Sequence, residues 1–219
     1  CFSTPFDNTA VDMLQEVGCP IYKIASFELT DHLLLKKVAN TNKPVILSTG
    51  MATKNEIKES MNILKKNGAK KIIILKCTSA YPAKLESLNL QTIQDMKKTF
   101  NCCVGYSDHS KGIVAATTAV SLGADVIEKH FTLNKNDGAL DSKFSSDPNE
   151  LGSLIKSCND AKKALGKINY GPTNQEMSSI KKRRSLYFLT TLNKGDVVGQ
   201  KDIGSFRPAL GLEVRNYDK

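Results

Sequence analysis

Ile72-Ile73-Ile74-Leu75-Lys76-Cys77-Thr78-Ser79 is the stretch that decides the fold. It opens as a continuous apolar run, the pattern of a strand covered on both faces. Within a few residues it turns into a lysine, a thiol and hydroxyls. The same shape recurs along the chain. Residues 21–25 lead into Ser26 and Glu28, with Lys23 inside the run; residues 44–48 lead into Ser48-Thr49-Gly50. Residues 102–106 lead into Ser107-Asp108-His109, and residues 125–130 end on Glu128-Lys129-His130. Residues 1–4 read as the end of one more strand, closing on Thr4.

Helical patterns fill the gaps. Thr53 with Glu56 forms a capping box ahead of the stripe Ile57, Met61 and Leu64, and Gly68 is a stop. Asp147-Pro148-Asn149-Glu150 starts another helix, whose expected apolar face is Leu151, Leu154, Ile155, Cys158 and Leu165, with Gly166 at its end. Residues 113–122, stopped by Gly123, make a third. Strand and helix alternate at the spacing of βα units, which leaves an open doubly wound sheet or a (β/α)8 TIM barrel. No GxGxxG follows the first strand, and polar residues gather at the end of every strand rather than at one switch point. The α/β class with a barrel is therefore the expectation. Six strands rather than eight imply that two N-terminal βα units lie outside this chain. Residues 1–166 are expected to be the partial barrel, 167–185 a polar linker, and 186–219 the start of a small β-rich domain.

Composition narrows the function. The 219 residues are 40% hydrophobic and 24% charged, enough for one sizeable core. No apolar run reaches the roughly 18 residues of a membrane span. The net charge of +9 is spread over helix faces without aromatic interleaving, so the expectation is a small anionic substrate, with no nucleic acid and no membrane as partner. Six cysteines without CxxC spacing read as reduced thiols of a cytoplasmic protein.

Only three histidines are present, and two of them, His109 and His130, end neighbouring strands beside Asp108 and Glu128. Two imidazoles with nearby carboxylates suit a shared divalent ion such as Mn²⁺, Fe²⁺ or Zn²⁺. His32 follows Asp31 at a helix start and reads as surface. Lys23, Lys76 and Lys129 lie in strands, where lysine is unusual; the readings are one Schiff-base nucleophile among them, snorkelling at a strand end, or a charge that binds an anion. Ser26, Ser48, Ser79 and Ser107 on the same rim favour an anion pocket. Glu28 is either a general base or a salt-bridge partner.

In order, Phe2-Ser3-Thr4-Pro5-Phe6-Asp7, Tyr22-Lys23-Ile24-Ala25-Ser26-Phe27-Glu28, Ser48-Thr49-Gly50-Met51, Cys77-Thr78-Ser79-Ala80-Tyr81-Pro82, Gly105-Tyr106-Ser107-Asp108-His109 and Glu128-Lys129-His130-Phe131 resemble the sialic acid synthase family, the phosphoenolpyruvate-dependent nonulosonic acid synthases. Arg184-Ser185-Leu186-Tyr187, with Arg207-Pro208 and Gly211-Leu212, resembles that family's antifreeze-like (SAF) domain. The resemblance implies a barrel and a domain-swapped homodimer in the full-length protein. It implies that His109 and His130 hold a divalent metal, Mn²⁺ first, with Mg²⁺ or Co²⁺ as alternatives. Thr4, Lys23, Ser26, Ser48, Ser79 and Ser107 would hold phosphoenolpyruvate, although Ser79 stands where some members have Asn. Tyr81 would line the pocket of an open-chain N-acetylated hexosamine, Arg207 would reach the partner's site, and Glu28 would sit beside the reacting carbons. Asp141-Ser142-Lys143-Phe144-Ser145 and Leu75-Lys76-Cys77 resemble the pseudaminic acid synthase branch, with N-acetylneuraminate and legionaminic acid synthases as alternatives. A Schiff-base aldolase and a non-catalytic carbohydrate-binding barrel are the rival classes.

Overall fold

The computed structural model describes residues 1–136 and 138–218. They form two compact units, Cys1–Gly166 and Lys167–Lys219.

The first unit alternates helix and strand in chain order: α1 (Asn8–Glu16), β1 (Tyr22–Ile24), α2 (His32–Ala39), β2 (Val45–Ser48), α3 (Lys54–Lys66), β3 (Ile72–Cys77), α4 (Thr92–Phe100), β4 (Cys103–Asp108), α5 (Val114–Ser121), β5 (Ile127–Lys129) and α6 (Pro148–Leu165). The five strands are all parallel and lie side by side in the order β1-β2-β3-β4-β5. The order never reverses, so this sheet has no switch point of the doubly wound kind. The expected strand at residues 1–4 is reduced to one parallel bridge, Ser3 to Tyr22. It lies at the sheet edge, where only β1 is available for pairing.

Alternation along the strands separates two faces. Tyr22, Ile24, Val45, Leu47, Ile72, Ile74, Val104 and Tyr106 turn one way. They join the main core with Leu34, Leu35, Val38, Ile57, Met61, Leu64, Ile93 and Met96 from the helices. The residues between them (Lys23, Ile46, Ser48, Ile73, Leu75, Cys77, Gly105, Ser107 and Glu128) turn the other way, and none of them belongs to that core. Covering helices on one face and polar side chains on the other fit a segment of barrel wall. Gly105 is needed there: a Cβ would stand 2.5 Å from Leu75 Cδ2 and 2.5 Å from the Val126 carbonyl oxygen.

Local signals explain the helix starts. Thr53 and Glu56 make the expected reciprocal cap on α3, and Asp147 with Glu150 makes it on α6. Asp31 accepts from two backbone amides at the start of α2, where exposed His32 is the first helical residue. The expected apolar face of α6 is only partly used. Leu154 is buried, while Ile155 and Leu165 are about half exposed, because packing reaches only one side of this helix within the unit. All six cysteines are free. Among the described residues, no helix is long and apolar enough to cross a membrane.

The second unit pairs β6 (Ser185–Phe188) with β7 (Ile203–Phe206) in antiparallel register. Its first part is not a plain linker. It holds a 3₁₀ turn at Asn174–Glu176 and the short helix α7 (Met177–Ile180). Ser185, expected to end the linker, is a buried strand residue whose hydroxyl donates to the Pro208 carbonyl.

Candidate active site

The C-terminal ends of β1 to β5 bring the polar residues of the inner face together. Ser107 and Glu128 are register partners, and the serine hydroxyl donates to Glu128 Oε1 at 2.7 Å. The same oxygen lies 3.4 Å from Lys23 Nζ, two strands beyond Cys77 in the sheet. One carboxylate thus brackets an inner-face lysine and an inner-face hydroxyl. Thr4 follows Ser3, the partner of Tyr22, and so falls level with Lys23.

Beside this bracket, Ser26 Oγ accepts from the Gly50 amide at 3.0 Å. A Cβ on Gly50 would meet Ser79 Oγ at 2.2 Å and Ser26 Oγ at 2.8 Å. Only a glycine therefore lets these two hydroxyls converge. Ser48 Oγ, Ser79 Oγ and Glu28 Oε2 are buried and have no hydrogen-bond partner; Tyr22 Oη, on the helix-covered face, is the fourth such atom among the described residues. Buried polar atoms are normally paired, and each unpaired one costs roughly 1–3 kcal/mol. Three of them on one rim mark a place built for a polar ligand.

The imidazoles lie next door. His109 and His130 are stacked edge to face with ring centroids 5.3 Å apart. The Thr78 carbonyl is 2.9 Å from His109 Nδ1, which places the proton there and leaves Nε2 with its lone pair. Tyr81 packs on His109 at 4.2 Å, and Phe144 on His130 at 5.2 Å. Asp141 Oδ2 stands 3.5 Å from His130 Nδ1. Backbone bonds tie down the main chain of both residues: the Ala83 amide donates to the His109 carbonyl, and the Ser146 amide to that of His130.

Electrostatics divide the two histidines. Burial lowers the His130 pKa, and the neighbouring His109 lowers it further. Burial also works against His109, but its contacts with Cys77 and the Thr78 carbonyl outweigh burial and raise its pKa. The Cys77 thiol, on the inner face, is opposed by burial too. Its hydrogen bonds to His109, Ser26 and Ser107 nevertheless hold it below the usual thiol range.

Among the described residues no group of three metal-ligating side chains occurs. The donor set is two imidazoles, one with a free Nε2, beside a carboxylate. That chemistry fits a divalent ion that keeps most of its coordination sphere for water or substrate.

Residues 1–170 match the family model described as the NeuB family. The chain belongs to the NeuB family. It is 44% identical over 99% of its length to N,N'-diacetyllegionaminic acid synthase of Campylobacter jejuni, covering 66% of that protein. It is 40% identical over its whole length to pseudaminic acid synthase of the same species, covering 64% of it. Among solved structures it resembles N-acetylneuraminic acid synthetase of Leptospira borgpetersenii in complex with citrate, with a TM-score of 0.75, 38% identity, 81% of this chain and 62% of that one. The chain thus spans about two thirds of its curated NeuB relatives.

Of the residues singled out in the sequence, Lys23, Ser26, Ser48, Ser79, Ser107, Glu28, Tyr81, His109 and His130 all stand on or beside the inner rim of this NeuB chain. Arg207 is exposed after β7 in the second unit. For two strand lysines the alternatives narrow. Lys76 and Lys129 pair in register with Tyr106 and Asp108 and leave the sheet on the helix-covered face; the Lys76 amine bends to the Cys77 carbonyl and the Thr78 hydroxyl at the strand end, and the Lys129 amine pairs with Asp108. Glu128 as a bracket, the Gly50 gap and the Asp141–Phe144 contacts were not read from the sequence as site features. For Glu128 the signal was present, because alternation from His130 places it on the inner face.

Proposed function

We propose that the full-length protein is a nonulosonic acid synthase that condenses phosphoenolpyruvate with an open-chain N-acetylated hexosamine, and that its product is pseudaminic acid. The observation that carries this reading is the trio of unpaired buried atoms on Ser48, Ser79 and Glu28, set beside Lys23 and the paired imidazoles. Lys23, Thr4, Ser26, Ser48, Ser79 and Ser107 would hold the enolpyruvyl anion and offset charge that grows during reaction. Held by His109 and His130, a divalent metal, Mn²⁺ before Mg²⁺ or Co²⁺, would supply Lewis acidity to the acceptor aldehyde. Carbon 3 of phosphoenolpyruvate attacks the aldehyde carbon. Water adds at carbon 2, and phosphate departs with cleavage of its C–O bond. Glu28 takes the proton from that water or steadies the cation before it adds. Tyr81 lines the sugar side.

In this reading the sheet continues into a closed (β/α)8 barrel in the full-length protein. The second unit begins a SAF domain, and Arg207 reaches the partner's site in a domain-swapped cytoplasmic homodimer. The Asp141–Ser145 stretch bears on the sugar, because Asp141 and Phe144 touch His130. A legionaminic acid synthase is the second reading, favoured by the 44% identity to that relative. A Schiff-base aldolase loses ground, since Lys23 is the only strand lysine on the inner face among the described residues and is paired with Glu128. The test is phosphate release and product mass from the full-length protein with phosphoenolpyruvate, Mn²⁺ and acetamido sugars offered singly. Release with one diacetamido sugar supports the reading and selects the branch; sugar binding without phosphate release from any of them overturns it.

A further inference from the structure

Behind the two histidines, on the helix-covered face, lies an ion pair that the chemistry above does not use. Lys129 Nζ stands 2.7 Å from Asp108 Oδ2, with the two side chains 4% and 0% exposed. Asp108 Oδ1 accepts from the Ser110 amide at 2.8 Å, the Ser110 hydroxyl at 2.7 Å and the Tyr106 hydroxyl at 3.2 Å. Lys129 also donates to the Ser110 carbonyl at 2.5 Å. Asp108 and Lys129 are register partners, and each directly precedes a histidine.

Stability does not account for this pair. Buried charges pay a desolvation cost that apolar residues of similar volume avoid, and replacing a buried ion pair with such residues is often neutral or stabilising. Its position does account for it. The lysine grips the residues on both sides of His109, Asp108 and Ser110, while the chain that carries the lysine continues into His130. We propose that the Asp108–Lys129 pair is a positioning device that fixes the His109 ring relative to the His130 ring, and so sets the spacing of the two metal-binding nitrogens. This inference rests on the metal reading above.

The double variant Asp108→Leu/Lys129→Met in the full-length protein removes both charges together and leaves no unpaired ion. Two readouts apply: Mn²⁺ affinity from the electron paramagnetic resonance of free ion, and the ring ¹⁵N resonances of the metal-free histidines. The expected result is a folded protein with displaced His109 and His130 ring resonances and Mn²⁺ affinity lowered roughly 10–100-fold, the usual size for supports of metal ligands. Lys129→Arg, which keeps the pair, should recover most of the affinity. A folded double variant with wild-type affinity and unmoved ring resonances overturns the proposal. If the double variant does not fold, Asp108→Asn read in the same two ways decides. If the wild-type protein binds no Mn²⁺, the metal reading falls separately, and the ring resonances alone decide whether the pair positions the rings.

Discussion

Lys23 is held between the inner face and Glu128, with its side chain 10% exposed. A charged group so placed contributes about 1.5–3 kcal/mol to an anion bound against it. Lys23→Ala in the full-length protein is therefore expected to raise the KM for phosphoenolpyruvate at least tenfold; an unchanged KM removes the residue from the anion pocket. His109→Ala and His130→Ala are each expected to abolish metal-dependent phosphate release, and wild-type rates would remove the imidazoles from the chemistry. Gly50 yields a subtler outcome. The atoms its Cβ would strike hardest are two serine hydroxyls, which can rotate away, and the Ser26 Cβ at 3.1 Å needs to give by only a few tenths of an ångström. Gly50→Ala is expected to shift the melting temperature by only about 3 °C, while the displaced hydroxyls raise the phosphoenolpyruvate KM roughly tenfold through one lost hydrogen bond. Unfolding of this variant, or an unaltered KM, would contradict that division.

At the scale of elements, strand positions were legible because continuous apolar runs with polar ends leave few alternatives. The helix starts were legible because Thr53–Glu56 and Asp147–Glu150 are local chemistry. Strand-facing was less so. Lys76 and Lys129 look like rim residues in a linear reading, and only pairing with Tyr106 and Asp108 shows that they turn outward. Contacts made by loops far apart in sequence, such as Phe144 on His130, had no local signature at all. One surface contact between elements gives a pH prediction. Lys97, in α4, bonds to Asp125 at 2.9 Å. Burial opposes the charge on Asp125, but the Lys97 contact outweighs it and lowers the pKa. A carboxylate with a depressed folded pKa contributes stability above its unfolded value, about 3.9, and loses it as pH falls through the folded value. The pair is more than a third exposed, so the contribution is at most about 1 kcal/mol. Lys97→Met should lower stability to urea at pH 7 by up to that amount and converge with wild type once the pH has fallen below the depressed folded value of Asp125. A difference that persists there would assign the loss to packing instead.

On the scale of the whole molecule, the chain is two units rather than one, with the division at Gly166. The residues from Lys167 to Thr173 are exposed and carry no regular structure. Brief trypsin treatment is expected to cut first after Lys167, with the fragment mass locating the nick; first cuts inside α3 or α4 would deny the division. Within the first unit, labour is split between wall and loop. The residues assigned above to the anion lie on strand ends that also carry the register of the sheet, whereas Asp141 and Phe144 arrive on a loop that meets the wall at the Phe131–Ser146 bridge and at His130. On the function proposed above, the loop can change its choice of sugar while the scaffold stays constant. A chimera that receives residues 139–145 from a relative should inherit the donor's appetite for acceptor and keep its own grip on the enolpyruvyl half.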